Sequence, residues 1–264
     1  MGTGGSGTGG SGTGGSGVRV DRAGPVVTIT LDRPERLNAQ TPQTWAALRE
    51  AGRSLPGDVR VVVVRGAGRA FSAGLDRAAF APDGMLADVG TTPPDRIDEM
   101  IHGFQQAFSW LRRPDLVSVA AVQGHAVGAG FQLALGCDLR VLADDAQLCM
   151  AETTLGLVPD LGGTAPLVQA VGYSRALEIC LTGRRVGADE ALRLGLATVV
   201  VPRAELAGAT ADLVAALLAA PRDAAVETKA LLLGATERSR TDQEAAERAA
   251  QARRLRDLRT NPDD

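Results

Sequence analysis

Apolar residues along this chain change their spacing several times, and each change marks an element. "VRVDRAGPVVTITL" (18–31) alternates in a β-branched background and predicts two strands joined around Ala23-Gly24-Pro25. Thr41-Pro42 then opens a helix, with Trp45, Leu48 and Leu55 on one face and Pro56 as its stop. "VRVVVVRG" (59–66) predicts a short apolar strand. Residues 96–112 return to helical spacing, with Ile97, Met100, Ile101, Phe104, Phe108 and Leu111 in register before Pro114. A strand at Val117–Val122, a glycine turn, the apolar "FQLALGC" and a strand at "DLRVLA" follow. From about Leu161 onward the pattern predicts helices almost alone, the last opened by a capping box of Thr241 with Glu244.

Strands alternating with helices, then helices alone, predict an α/β fold: a core over 18–200 and a helical C-terminal region over 201–264. Residues 1–17, "MGTGGSGTGGSGTGGSG", carry no apolar side chain after Met1 and predict a disordered tail with no part in the fold.

Composition narrows the function classes. Aromatics make up 3% of the chain, so Ala, Leu and Val must build the core. A net charge of −3 gives no footprint for nucleic acid. No apolar run reaches membrane-spanning length. Cys137, Cys149 and Cys180 form no CxxC pair and lie in apolar contexts, which predicts buried reduced thiols in a cytoplasmic protein. His102 and His125 have no ligand-type spacing, so no metal site is expected; the first reads as solvated and the second as packed.

Three stretches remain as candidate chemistry. "RAFSAGLD" (69–76) and "GHAVGAGFQLALGC" (124–137) each follow a strand and carry a glycine where a backbone turn can expose peptide N–H groups. The second also opens a helix, adding free N–H groups and the positive end of its dipole. Two such groups aimed at one point would stabilise an oxyanion; the plain alternative is two tight turns. Gly128-Ala129-Gly130 contains GxG, yet the third glycine of a dinucleotide fingerprint is absent, because position 133 is Leu. "MAETTLGLVPDLGGT" (150–164) places Glu152 and Asp160 in a segment that otherwise reads as buried.

Taken together, "ITLDRPERLNAQ", "RAFSAGLD", "AAVQGHAVGAGFQLALGCDLR" and "ETTLGLVPDLGGT", in this order and spacing, resemble the enoyl-CoA hydratase/isomerase (crotonase) family from about Val18 to Asp264. The resemblance implies a crotonase-like spiral of ββα units and trimers often paired into hexamers. It implies acyl-CoA thioesters as substrates, with no permanently bound cofactor. It places the backbone donors of an oxyanion hole at Leu75 and Ala129, and ligand-binding positions at Ala73, Gly74, Asp76 and Gly128. It sets Arg33 and Arg36 beside the CoA phosphates, although solvated charges would look the same.

The family's hydratases carry one Glu at position 132 and another at 152. Here the first is Gln132, which can orient a water but cannot take and return a proton. Isomerases of the family need only the Glu at 152, and the dienoyl isomerases have an Asp at 160. The resemblance therefore favours double-bond isomerisation with Glu152 as proton shuttle, Asp160 as a second acid/base and Gln132 as a polar partner. A hydratase tolerating Gln132 and a non-catalytic acyl-CoA-binding protein are the alternatives. Asp160 also reads as an N-cap, and Asp76 as the cap of the turn after Leu75. Relatives usually continue with one more amphipathic helix past "LRTNPDD", which implies a last helix missing here.

Overall fold

A computed structural model describes residues 11–12 and 15–260. The first half contains β1 (Ser11–Gly12), β2 (Val18–Ala23), β3 (Val26–Leu31), α1 (Pro42–Arg53), β4 (Val61–Gly66), α2 (Pro94–Ser109) and β5 (Val117–Val122). The middle contains β6 (His125–Val127), α3 (Ala129–Gly136), β7 (Leu139–Ala143) and β8 (Gln147–Cys149). After these come α4 (Thr164–Val171), α5 (Tyr173–Thr182), β9 (Arg185–Gly187), α6 (Ala188–Arg193) and β10 (Val199–Val201). The chain closes with α7 (Leu206–Ala219), α8 (Arg222–Gly234) and α9 (Arg240–Thr260).

Among the described residues the larger sheet runs β1-β2-β3-β4-β5-β7-β10, antiparallel as far as β3 and parallel beyond it. A smaller sheet, β6-β8-β9, stands beside it. The valine runs of β4 and β5 are near-continuous because a parallel strand covered on both faces has no polar side. Val62, Val64, Ala120 and Val122 join Phe71, Phe131 and Leu148 in the main core. Val61, Val63, Val119 and Ala121 face a second cluster under Leu206 and Val214 of α7.

The predicted hairpin and α1 are present, and the strand expected over 59–66 is found as β4 over Val61–Gly66. Thr41 caps α1 through a reciprocal box with Thr44, and Trp45 stacks at 4.5 Å on Phe104 of α2. Three expectations need correction. The chain after Leu161 is not helical throughout: β9 and β10 interrupt it, and β10 completes the large sheet by pairing with β7. Three-residue strands are too short to display a period. The last helix is capped two residues earlier than expected, where Ser239 Oγ accepts from Asp242 N (3.2 Å) and donates to its carboxylate (2.7 Å).

The glycine-rich tail also enters the fold at its C-terminal end. Ser11–Gly12 pairs with β2, and the Ser16 carbonyl accepts from Thr44 Oγ1 at 2.9 Å. Edge pairing uses the backbone, so a lack of apolar side chains does not forbid it. Residues 1–10 and 13–14 lie outside the described residues.

Cys137 and Cys149 are buried and Cys180 is half-buried, all as free thiols. Burial pushes the Cys137 thiol up to about 12. No single helix among the described residues is long and apolar enough to cross a membrane.

One buried ion pair fastens the C-terminal helices to the sheet. Lys229 Nζ of α8 donates to Asp138 Oδ2 (2.7 Å) and to the Leu116 carbonyl (2.7 Å), while Asp138 Oδ2 also accepts from Ser118 N (2.8 Å). Removing the cation strands a buried carboxylate, so Lys229→Met is expected to lower unfolding free energy by about 3 kcal/mol. Urea titration checks this, and Lys229→Met combined with Asp138→Asn should recover part of the loss.

Candidate active site

The parallel pairing of β4 with β5 sends two consecutive loops out at the same end of the sheet, where open α/β sheets take their ligands. These are the two glycine turns singled out in the sequence. They are stitched together: Phe71 N donates to Gln123 O (2.8 Å), Ser72 N to His125 O (2.9 Å) and Val127 N to Ser72 O (3.0 Å). Gly74 sits at φ +87°, a value open to glycine. A Cβ there would lie 2.5 Å from Val127 O and 3.6 Å from Ala129 N, so the two turns touch. Gly128 has φ 50° and ψ −119°, again glycine territory, and passes the chain into α3.

Both turns leave peptide donors free. Phe71, Ser72, Ala73, Gly74 and Asp76 each give their peptide N–H to a protein acceptor. Within this run, Leu75 N–H meets none among the described residues. Val127 donates to Ser72 O and Gly128 to Cys149 O (2.8 Å), while the N–H of Ala129, first residue of a wholly buried helix, meets no acceptor among the described residues, and neither do those of Gly130 and Phe131 in the same helical turn. The two turns thus bring the Leu75 N–H close to the free first-turn donors of α3.

A buried polar scaffold that the sequence reading did not single out holds the first turn. Asn38 Nδ2 donates to Ala67 O (2.8 Å) and Ala70 O (2.9 Å). Gln40 exchanges backbone bonds with Gly74 and Asp76 and donates from its side chain to Ser72 Oγ (3.1 Å), which in turn donates to Asn38 O (2.8 Å). In the sequence they are only polar residues inside the quoted motifs; the fold alone shows Asn38, Gln40 and Ser72 at 0–2% exposure.

Glu152 opens a short 3-10 turn and is 9% exposed. A Cβ on Gly128 would lie 3.2 Å from its Oε1, which places the carboxyl against the second glycine turn. Oε1 accepts from Gln132 Nε2 at 2.7 Å; Oε2 is buried without a partner among the described residues. Burial raises the Glu152 carboxyl above its ordinary range, with the nearby Asp160 charge pushing the same way and the Gln132 bond opposing. Asp160 is half-buried and also raised by burial. It does not cap α4, whose N-cap is Gly163, and its carbonyl accepts from Gln105 Nε2 of α2 at 2.8 Å.

The loop is inverted relative to its composition: its acids are sheltered, whereas Leu155 (61%), Leu157 (39%) and Val158 (69%) are exposed. Glu152 and Asp160 are therefore not surface acids.

A raised carboxyl holds more protons folded than unfolded between its ordinary and its raised values, so stability falls as pH rises through that window. Glu152→Gln removes this loss. The variant is expected to unfold at higher urea than the parent near neutral pH, with the gap closing on acidification below the ordinary carboxylate range.

The remaining positions are plainer. Asp76 accepts from Ala78 N, as a cap should. That bond and the Arg33 guanidinium hold its carboxyl below the usual range. Arg33 Nη1 is directed inward to Ala39 O (2.9 Å) and Asp76 (3.0 Å), leaving Arg36 exposed. His125 Nδ1 lies 3.0 Å from Arg185 Nη1, and His102 is exposed. Among the described residues no group of three or more His, Cys, Asp or Glu is arranged to hold a metal ion.

The sequence pattern of the enoyl-CoA hydratase/isomerase family matches residues 21–259. This chain belongs to that family. As a member of the enoyl-CoA hydratase/isomerase family it has the crotonase fold, and solved relatives superpose closely. A Thermobifida fusca protein solved with CoA, provisionally named an enoyl-CoA hydratase, gives a TM-score of 0.88 at 50% identity over 93% of this chain and 95% of that one. A Thermobifida fusca structure of the same description, solved with acetoacetyl-CoA, gives 0.89 at 48% identity, over 92% of this chain and 96% of that one. A carnitinyl-CoA dehydratase of Salmonella arizonae is 38% identical over 199 residues, 74% of this chain and 72% of the relative. The protein is accordingly an acyl-CoA enzyme.

Proposed function

We propose that this enzyme moves a double bond along the acyl part of a CoA thioester. Glu152 takes a proton from the carbon next to the thioester carbonyl, and the electron pair passes to the carbonyl oxygen. The peptide N–H groups of Leu75 and Ala129 receive that oxyanion; losing one such donor typically costs about 3–4 kcal/mol. Glu152 then returns the proton two carbons along, the carbonyl re-forms and the double bond has shifted. No water enters and the proton count is unchanged. Asp160 serves as a second acid/base further along the acyl chain, and Arg36 is the exposed cation for a CoA phosphate. A homotrimer or hexamer is the assembly we propose, with Leu155, Leu157 and Val158 on the side to be covered.

One observation carries the reading: the carboxyl packed against the second glycine turn has a single unbonded oxygen, and its neighbour Gln132 cannot exchange protons. Hydration is the second reading, favoured by relatives named as hydratases and dehydratases and by Asp160 as a second raised carboxyl. Incubation with trans-3-enoyl-, trans-2-enoyl- and 3,5-dienoyl-CoA separates the two. A product of equal mass from the 3-enoyl or dienoyl substrate supports isomerisation, and gain of one water from the 2-enoyl substrate alone overturns it. Sedimentation velocity tests the assembly.

A further inference from the structure

Gln132 is more than a missing acid. Its Oε1 accepts from two peptide N–H groups, Leu161 (2.9 Å) and Gly163 (3.3 Å). A peptide N–H can only donate, so that end of the carboxamide must be oxygen. The other end is then an NH2 group, donor only, and it is aimed at Glu152 Oε1 at 2.7 Å. Oε1 is thereby engaged as an acceptor, which favours Oε2, the oxygen with no protein partner among the described residues, as the seat of a proton carried by Glu152. The same amide fastens the segment immediately after Asp160 to the acid that precedes it by eight residues.

We propose that Gln132 is a positioning residue that fixes which oxygen of Glu152 carries the proton and holds the Asp160 segment in register with it. The proposal rests on Glu152 being the proton carrier, as argued above. It predicts that loss of the amide lowers kcat through a misdirected or over-protonated carboxyl while leaving thioester binding nearly intact. Other titratable groups facing Glu152 are Asp160 and the thiols of Cys149 and Cys180. They stay in place in every variant below, so a change in the pH profile reports on the amide.

The geometry supplies two independent perturbations. Gln132→Met keeps the length and removes all three bonds. Gly163→Ala changes neither Gln132 nor Glu152. Gly163 has φ −78° and ψ −18°, which alanine adopts freely, but a Cβ there would stand 2.8 Å from Gln132 Cγ and 3.1 Å from its Oε1. The added methyl must displace the carboxamide. Isomerase turnover of trans-3-enoyl-CoA is measured against pH for the parent and both variants, with thermal melts to confirm folding.

Gln132→Met is expected to lower kcat about 10-fold or more with KM within about 2-fold, and to move the acidic limb of the pH–kcat profile upward, because one of the bonds that oppose protonation is gone. Gly163→Ala is expected to move the limb in the same direction by a smaller amount. Parent-like kcat and an unmoved limb in folded Gln132→Met overturn the proposal, as does a moved limb in Gln132→Met with none in Gly163→Ala. Glu152→Gln separates the two levels: if it retains turnover, the proton-carrier reading itself has failed. If it is inactive while folded Gln132→Met is normal, only the positioning role has.

Discussion

Glu152→Gln is expected to reduce turnover of an enoyl-CoA substrate by about 10²–10⁴-fold, the range a single positioned acid/base group contributes. Affinity for the unreacted thioester should change little, since the substitution exchanges one oxygen for an NH2 of nearly equal size and Oε1 can still accept from Gln132. The same variant is expected to be the more stable protein near neutral pH, because it no longer holds a carboxyl in a place that disfavours its charge. A stabilising substitution that silences the enzyme separates a functional carboxyl from a structural one: a structural acid would cost stability when lost. Turnover and urea titration on one preparation read both effects. Full activity in Glu152→Gln would remove this residue from the chemistry.

Gly74→Ala is expected to have the second-largest effect, through the main chain alone. Alanine at φ +87° is strained by about 1–3 kcal/mol, and its methyl would meet Val127 O at 2.5 Å. Relief requires the first turn to withdraw from the second, which separates the N–H of Leu75 from that of Ala129. Displacing one donor of such a pair costs about 10²–10³-fold in kcat. Leu75→Ala is the control. It trims a partly buried side chain but leaves the peptide N–H where it was, so its kcat should stay within a few-fold of the parent. Equal damage from both substitutions would show that the Leu75 side chain, not its backbone, matters.

The sequence revealed the fold wherever an element was long enough to show its period. The hairpin at 18–31, the helix opened by Thr41-Pro42 and the valine strand within 59–66 all carry their own signature and are found where expected. Residues 96–112 appear as α2 followed by a 3-10 turn, shifted by two residues at the start because Pro94 takes the first helical position. The three-residue strands β9 and β10 were invisible, since three apolar residues fit a helix or a strand equally well. At the site, the glycines at 74 and 128 marked the turns, but which N–H groups stay unpaired depends on partners such as Leu37, Gln40 and Cys149 that only the fold brings near. The direct bond between Gln132 and Glu152 was equally hidden, because it joins the buried helix α3 to a 3-10 turn twenty positions later in the chain.

The inverted loop has a consequence for how this protein can diverge. Between Glu152 and Asp160 the exposed side chains are Thr154, Leu155, Leu157 and Val158, while Glu152 is buried and Asp160 half-buried. Substitutions at the outward positions change the surface presented to solvent and leave the two carboxyls in their shelter. The exposed apolar surface of this stretch can therefore change residue by residue while the sheltered carboxyls keep their surroundings.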